Sequence, residues 1–202
     1  MAQKFKLTRK EVLEYHLGGK IGLEITKKLK DQRDLSLAYT PGVSEACLAI
    51  RDDGDLAYSY TAKNNTVAVA TDGTAVLGLG NIGVKASIPV MEGKAVLFKA
   101  FAGVDAWPVF IENVYKNDGF TDSDKFVDVM SRISANYGGI NLEDIAAPAC
   151  FDIEDRLDEM LDIPVFHDDQ WGTAIITLAA FKNYCILTGK KPKDVTVVIN
   201  GA

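Results

Sequence analysis

The chain has 202 residues, 48% apolar and 25% charged, enough apolar material for a packed core in one domain or two small ones. A net charge of −6 with no basic run argues against nucleic acid or an anionic membrane as partner, because phosphate contacts need clustered Lys and Arg. No apolar run approaches the roughly 20 residues that span a bilayer, and the opening MAQKFKLTRKE lacks the apolar stretch of a signal peptide, so a cytoplasmic protein is expected.

Thr8-Arg9-Lys10-Glu11 is a capping box and predicts a helix from about Arg9, interrupted at Gly18-Gly19. Leu35 to Gly42 (LSLAYTPG) reads as turn-rich, with a helix following over Val43–Arg51. Alternation then sets in. Val67–Thr71 is expected as a strand and Ala75–Leu77 as a short one, followed by the glycine-rich 78–83 and a helix over about Val84–Met91. Ala95–Ala100 and Trp107–Ile111 read as strands. Asp122–Asn136 reads as a helix, with Phe126, Val127, Met130 and Ile133 on one face. Ile140–Leu142 is a strand, Phe151–Leu161 a helix and Pro164–Phe166 a short strand. Asp169–Leu187 is expected as a long, mostly buried helix closed by Thr188-Gly189. Lys190-Lys191-Pro192-Lys193 marks a boundary, and Val195–Ile199 reads as a buried strand running into Asn200-Gly201-Ala202.

Strands alternating with helices predict an α/β fold with a mainly parallel sheet flanked by helices. A β-branched strand entering glycine is also how a dinucleotide-binding unit opens. No helix follows it, which leads to the expectation that the chain is a fragment. Three cysteines, Cys47, Cys150 and Cys185, form no CxxC pair and read as reduced thiols.

Gly78-Leu79-Gly80-Asn81-Ile82-Gly83 matches GxGxxG, with Asp105 lying 22 residues beyond Gly83. It reads either as a Rossmann fingerprint or as a tight turn whose glycines permit close packing. VTVVINGA has the better strand but only the first glycine, Gly201.

Two apolar strands each end in adjacent acids, Glu143-Asp144 and Asp168-Asp169. Ligands of open parallel sheets bind beyond the carboxyl ends of strands. If the two strands are neighbours, four carboxylates converge and require a cation, since like charges a few Å apart raise one another's pKa. All-oxygen ligation selects Mg²⁺, Mn²⁺ or Ca²⁺. Either pair alone is as well explained by a helix cap or a solvated turn. Lys94, in IPVMEGKAV, reads as a snorkelling surface cation or, beside a metal ion that lowers its pKa, as a general base. Tyr39, in AYTPG, reads as a packed aromatic or as a phenol presented to a cleft.

SLAYTPGV, TDGTAVLGLGNIG, SIPVMEGKAVLFK, INLEDI and FHDDQWGTA, in that order, resemble the malic enzymes of the shorter bacterial class, from about Leu35 to Ala202. The resemblance implies oxidation and decarboxylation of (S)-malate to pyruvate and CO₂, with NAD or NADP and with Mn²⁺ or Mg²⁺. It implies Tyr39 as general acid, Lys94 as general base, Glu143, Asp144 and Asp169 as metal ligands, and Asp168 as the group that holds and tunes the lysine. It implies residues 1–190 as the N-terminal catalytic domain and 191–202 as the start of an NAD(P)-binding Rossmann domain containing Gly201. The 78–83 loop would then lie at the active-site cleft. A homodimer is expected, with malate as the small-molecule partner. Malolactic enzyme and oxaloacetate decarboxylase are neighbouring readings, and an inert module acting only in oligomerisation or regulation is a reading of another class. One departure is Ala75, where the longer eukaryotic members carry an arginine for the substrate carboxylate.

Overall fold

The computed structural model describes residues 7–199. Four short helices come first: α1 (Arg9–His16), α2 (Gln32–Ala38), α3 (Val43–Asp52) and α4 (Ala57–Tyr60). α1 starts at the expected capping box, with Thr8 and Glu11 each bonded to the other's backbone amide. The LSLAYTPG stretch is less turn-like than expected. α2 covers its first half because the Asp31 side chain accepts the Asp34 amide and nucleates a helix there.

The sheet has four strands: β1 (Thr66–Thr71), β2 (Asp105–Phe110), β3 (Gly139–Leu142) and β4 (Val165–His167). Its order is β2-β1-β3-β4 and every pair is parallel. Between the strands run α5 (Val84–Leu97), α6 (Ser123–Ile133) and α7 (Ala149–Met160), and α8 (Thr173–Thr188) follows β4. The α/β class with a parallel sheet flanked by helices is as the alternation predicts.

Ala68 and Ala70 of β1 and Ile140 and Leu142 of β3 pack into one core cluster with Phe126, Met130, Ile153 and Leu157 of α6 and α7. The period-2 pleat turns Val69 the other way. α5 packs across β1 and β2, burying Ser87, Met91 and Ala95 at i, i+4 and i+8.

Four elements differ from expectation. Ala95–Ala100 is not a strand: α5 continues to Leu97 and a wider turn covers Phe98–Ala102. A short apolar run has no periodicity that separates strand from buried helix, and here the preceding helix extended through it. Ala75–Leu77 is only a single bridge, Val76 to Gly80. α8 is not buried. It is mostly apolar, yet Ile175, Ile176, Ile186 and Leu187 are exposed, because the other described residues cover little of it beyond the turn at its N-terminal end. Val195–Ile199 is no strand either. It lies outside the four-stranded sheet, where an extended segment has no ladder partner, and Val197, Val198 and Ile199 are exposed.

Candidate functional site

Register brings the acidic pairs together. Ala70 pairs with Leu142 and Leu142 with His167, so β1, β3 and β4 end level with one another. β1 also has β2 on one side and β3 on the other, so the chain reverses its direction of travel across the sheet at the β1/β3 boundary. That reversal opens a crevice beyond the strands' carboxyl ends, where open α/β sheets hold ligands.

Oxygens of Glu143, Asp144 and Asp169 lie within 4.8 Å of one another there. Glu143 and Asp144 are about 5% and 4% exposed. Burial pushes the Glu143 carboxyl up to about 7, against the bonds it accepts from Asn141 and Lys94. Burial, then the charge of Asp169, pushes Asp144 up to about 6. Asp169 goes the other way. The His167 ring is the largest influence holding it below the usual carboxylate range; burial opposes this, and the Asp144 amide assists. That amide donates to Asp169 Oδ2 at 2.9 Å, and His167 Nε2 stands 3.4 Å from the same oxygen.

Three hard oxygen donors at this spacing suit the coordination sphere of Mg²⁺ or Mn²⁺, whose ligands sit at roughly 2.0–2.2 Å from the ion. Asp144 Oδ2 is buried with no hydrogen-bond partner, an arrangement that costs free energy unless something else satisfies it. The residues present fit a divalent ion.

Lys94 enters from α5. Its Nζ donates to Asp168 Oδ2 at 2.7 Å and lies 3.1 Å from Glu143 Oε2. Burial is the largest single influence on this ammonium and lowers its pKa, but the bonds and charges of Asp168 and Glu143 together raise it above the ordinary lysine value. The protein's own groups thus push Lys94 in the opposite sense to the one expected of a neighbouring cation. Gly172 makes room for this pair: a Cβ there would lie 2.5 Å from Asp168 Oδ1.

The structure brings Lys94, Glu143, Asp144, Asp168 and Asp169 into one cluster. Tyr39, at the end of α2, is 70% exposed and makes no side-chain hydrogen bond to the cluster. Gly201 lies outside the described residues. The 78–83 segment is a loop at the site and follows no strand. The Gly73 carbonyl accepts the Ile82 and Gly83 amides. The adjoining Ala75 amide donates to the Asp144 carbonyl at 3.0 Å. Gly73 itself has φ of +72°, and a Cβ on it would lie 2.6 Å from Gly83. Sequence reasoning missed Asn141, whose Nδ2 holds Glu143 Oε2 at 2.9 Å. The signal was available, since residues two apart in a strand share a face. It also missed His167 and the buried Glu154, whose Oε1 accepts the His167 amide at 2.9 Å.

The sequence profile of the malic enzyme N-terminal domain matches residues 18–158. The chain belongs to the malic enzyme family. It is 52% identical over 196 residues to the bifunctional malic/malolactic enzyme of Bacillus subtilis (strain 168), covering 96% of this chain and 46% of that protein. It is 50% identical over 202 residues to the NADP-dependent malic enzyme of Haemophilus influenzae, covering all of this chain and 26% of that one. The crystal structure of malic enzyme from Pyrococcus horikoshii Ot3 superimposes with a TM-score of 0.86 at 49% identity, over 93% of this chain and 43% of the other. An NAD-dependent malic enzyme from Thermotoga maritima superimposes at 0.82 and 47% identity, over 92% and 50%. This malic enzyme chain spans less than half the length of the curated relatives it matches. Among its described residues no helix is long and apolar enough to cross a membrane.

Proposed function

We propose that this chain carries the metal- and malate-binding half of an enzyme that oxidises (S)-malate with NAD⁺ or NADP⁺ and releases pyruvate, CO₂ and the reduced nicotinamide. The observation that carries the reading is the meeting of Glu143, Asp144 and Asp169 within 4.8 Å, beside a lysine 2.7 Å from Asp168.

Glu143, Asp144 and Asp169 would hold Mn²⁺ or Mg²⁺. What such an ion supplies is positive charge, which favours the ionised carboxylates, weakens the attraction that keeps Lys94 protonated, and polarises substrate oxygen. Lys94 Nζ takes the proton of the malate hydroxyl as hydride leaves the same carbon for the nicotinamide. Asp168 holds Nζ in place and stabilises the ammonium that forms. Loss of CO₂ from the resulting oxaloacetate leaves an enolate, and Tyr39 is proposed to protonate its carbon. For that step the phenol has to reach the cluster from its exposed position at the end of α2. NAD(P) is proposed to bind to the segment that Gly201 opens, and two copies of the protein to form a homodimer. The test of the base is Lys94→Ala. Oxidation of malate with Mn²⁺ and each nicotinamide should fall by about 10²–10⁴-fold, the share of a general base, while thermal stability changes little. Near-normal turnover would remove Lys94 from the role.

A second reading is favoured by the name of the Bacillus subtilis relative, which is called both malic and malolactic. A malolactic reaction would give lactate and CO₂ with no net reduction of nicotinamide. Assaying lactate against pyruvate separates the two.

A further inference from the structure

The first residue beyond β1, Asp72, is a fully buried carboxylate that the proposed chemistry does not use. Its oxygens are all engaged. Thr74 Oγ1 donates to Oδ1 at 2.6 Å, the Thr74 amide reaches the same oxygen at 3.2 Å, and Thr121 Oγ1 donates to Oδ2 at 2.5 Å. Tyr115 Oη donates to the Asp72 backbone carbonyl at 2.7 Å. Having given its proton to Asp72, the Thr74 hydroxyl is free to accept, and it accepts the Ala146 amide at 2.9 Å. One residue further on, the Ala75 amide donates to the Asp144 carbonyl at 3.0 Å. The segment 144–146 is therefore gripped at two points by residues 74 and 75. At the first of those points Asp144 has φ of +53°, in the left-handed region that few non-glycine residues adopt and that aspartate enters more readily than most.

We propose that Asp72 and Thr74 are positioning residues for the loop that carries Glu143 and Asp144: the buried carboxylate fixes the Thr74 hydroxyl, and that hydroxyl pins the loop with Asp144 turned towards Asp169. Thr121 serves as an internal control. It bonds the same carboxylate, is buried as Thr74 is, and has its hydroxyl 3.3 Å from that of Thr74, but it makes no hydrogen bond of its own to residues 143–146. The metal-binding consequence rests on the function proposed above, whereas the order of the loop does not.

The experiment reads two quantities on purified protein: hydrogen exchange of the Asp144 amide without metal, and Mn²⁺ affinity by calorimetry. The Asp144 amide donates to Asp169, not to Thr74, so its exchange reports the loop rather than the deleted bond. Thr74→Val is expected to speed that exchange and weaken Mn²⁺ binding, each by about tenfold or more, the scale of a lost local hydrogen-bond network. Thr74→Ser, which keeps the hydroxyl, should restore both, and Thr121→Val should lower the melting temperature while leaving both near wild type. If Thr74→Val does not fold, the smaller Thr74→Ala takes its place. Unchanged Asp144 exchange on loss of the Thr74 hydroxyl overturns the proposal, as does an equal effect from Thr121→Val. Wild-type protein that binds no Mn²⁺ sinks the metal reading instead, and the exchange measurement still decides whether the Thr74 hydroxyl orders the loop.

Discussion

Glu143 and Asp144 hold their protons more tightly in the folded protein than in the unfolded chain, at about 7 and about 6 against ordinary values of 4.5 and 3.8. A carboxyl raised in this way contributes stability below its unfolded pKa and loses that contribution as pH rises through the folded value. Between about pH 4 and pH 7 the two acids therefore become progressively destabilising without a cation. Asp169, lowered in the fold, contributes above its unfolded value and loses that contribution as pH falls through its depressed pKa, so it does not offset the effect in this window. A divalent ion competes with the two protons and should bind more tightly as pH rises. We expect the gain in melting temperature on adding Mn²⁺ to be small at pH 5 and to reach several degrees at pH 7.5. At about 100-fold excess over Kd, binding to the folded state alone is worth about 2.7 kcal/mol. Differential scanning fluorimetry at the two pH values checks this, and a gain that is flat or falls with pH contradicts the ligand set. At Gly172 a different prediction applies. The atoms nearest a methyl group there are all at the end of the Asp168 side chain, which can swing aside at little cost to the fold. Gly172→Ala should therefore leave stability within about 1 kcal/mol of wild type while lowering malate turnover by about 10–100-fold, the usual cost of losing a group that orients a site. A turnover loss matched by a collapse in stability would point to the fold instead.

At the scale of elements, α6 is the part that sequence periodicity read best. Phe126, Val127 and Met130 all face inward as their spacing required. Phe126 is fully buried against the sheet, so Phe126→Ala should cost about 3–5 kcal/mol of unfolding free energy, measured by urea denaturation, as expected for a large-to-small change in a packed core. α5 was read only in part. Its continuation, AVLFKAFA, is apolar at nearly every position, and such a run suits a buried strand as well as a helix. The difference matters for the site. As a helical residue Lys94 lies on α5 beside the sheet and reaches across to β3 and β4, which a lysine at the mouth of its own strand would not do in the same way. The Asp72–Thr74–Ala146 chain of bonds was also beyond local reading, because its members lie 72 residues apart.

At the scale of the whole molecule, the described apolar residues divide into a buried core around the sheet and an exposed set that includes residues of α1–α3, of α8 and of 197–199. A mostly apolar helix such as α8 ordinarily lies inside a protein, and large exposed apolar surfaces ordinarily serve contacts. If α8 lies in the contact of the proposed homodimer, Ile175→Asp and Ile186→Asp together should lower the mass seen by light scattering from two copies to one, leaving the unfolding of the sheet domain unchanged. A mass that stays at two copies moves the contact elsewhere.

The acidic pairs, the lysine, the alternation of strands and helices and the order of the motifs were determined by the sequence itself. They rest on local chemistry: period-2 and period-3.6 burial, caps, and carboxylates placed where strands end. Those same residues carried the resemblance to the malic enzymes, with which the family comparison agrees. Only the tertiary structure decided that β3 and β4 are neighbours in register, that Lys94 is helical and pairs with Asp168 and Glu143, that Tyr39 is exposed and makes no side-chain hydrogen bond to them, and that α8 is left largely uncovered. Each of these depends on contacts between segments far apart in the chain. A side chain's own neighbours in sequence carry no record of which distant strand will lie beside it.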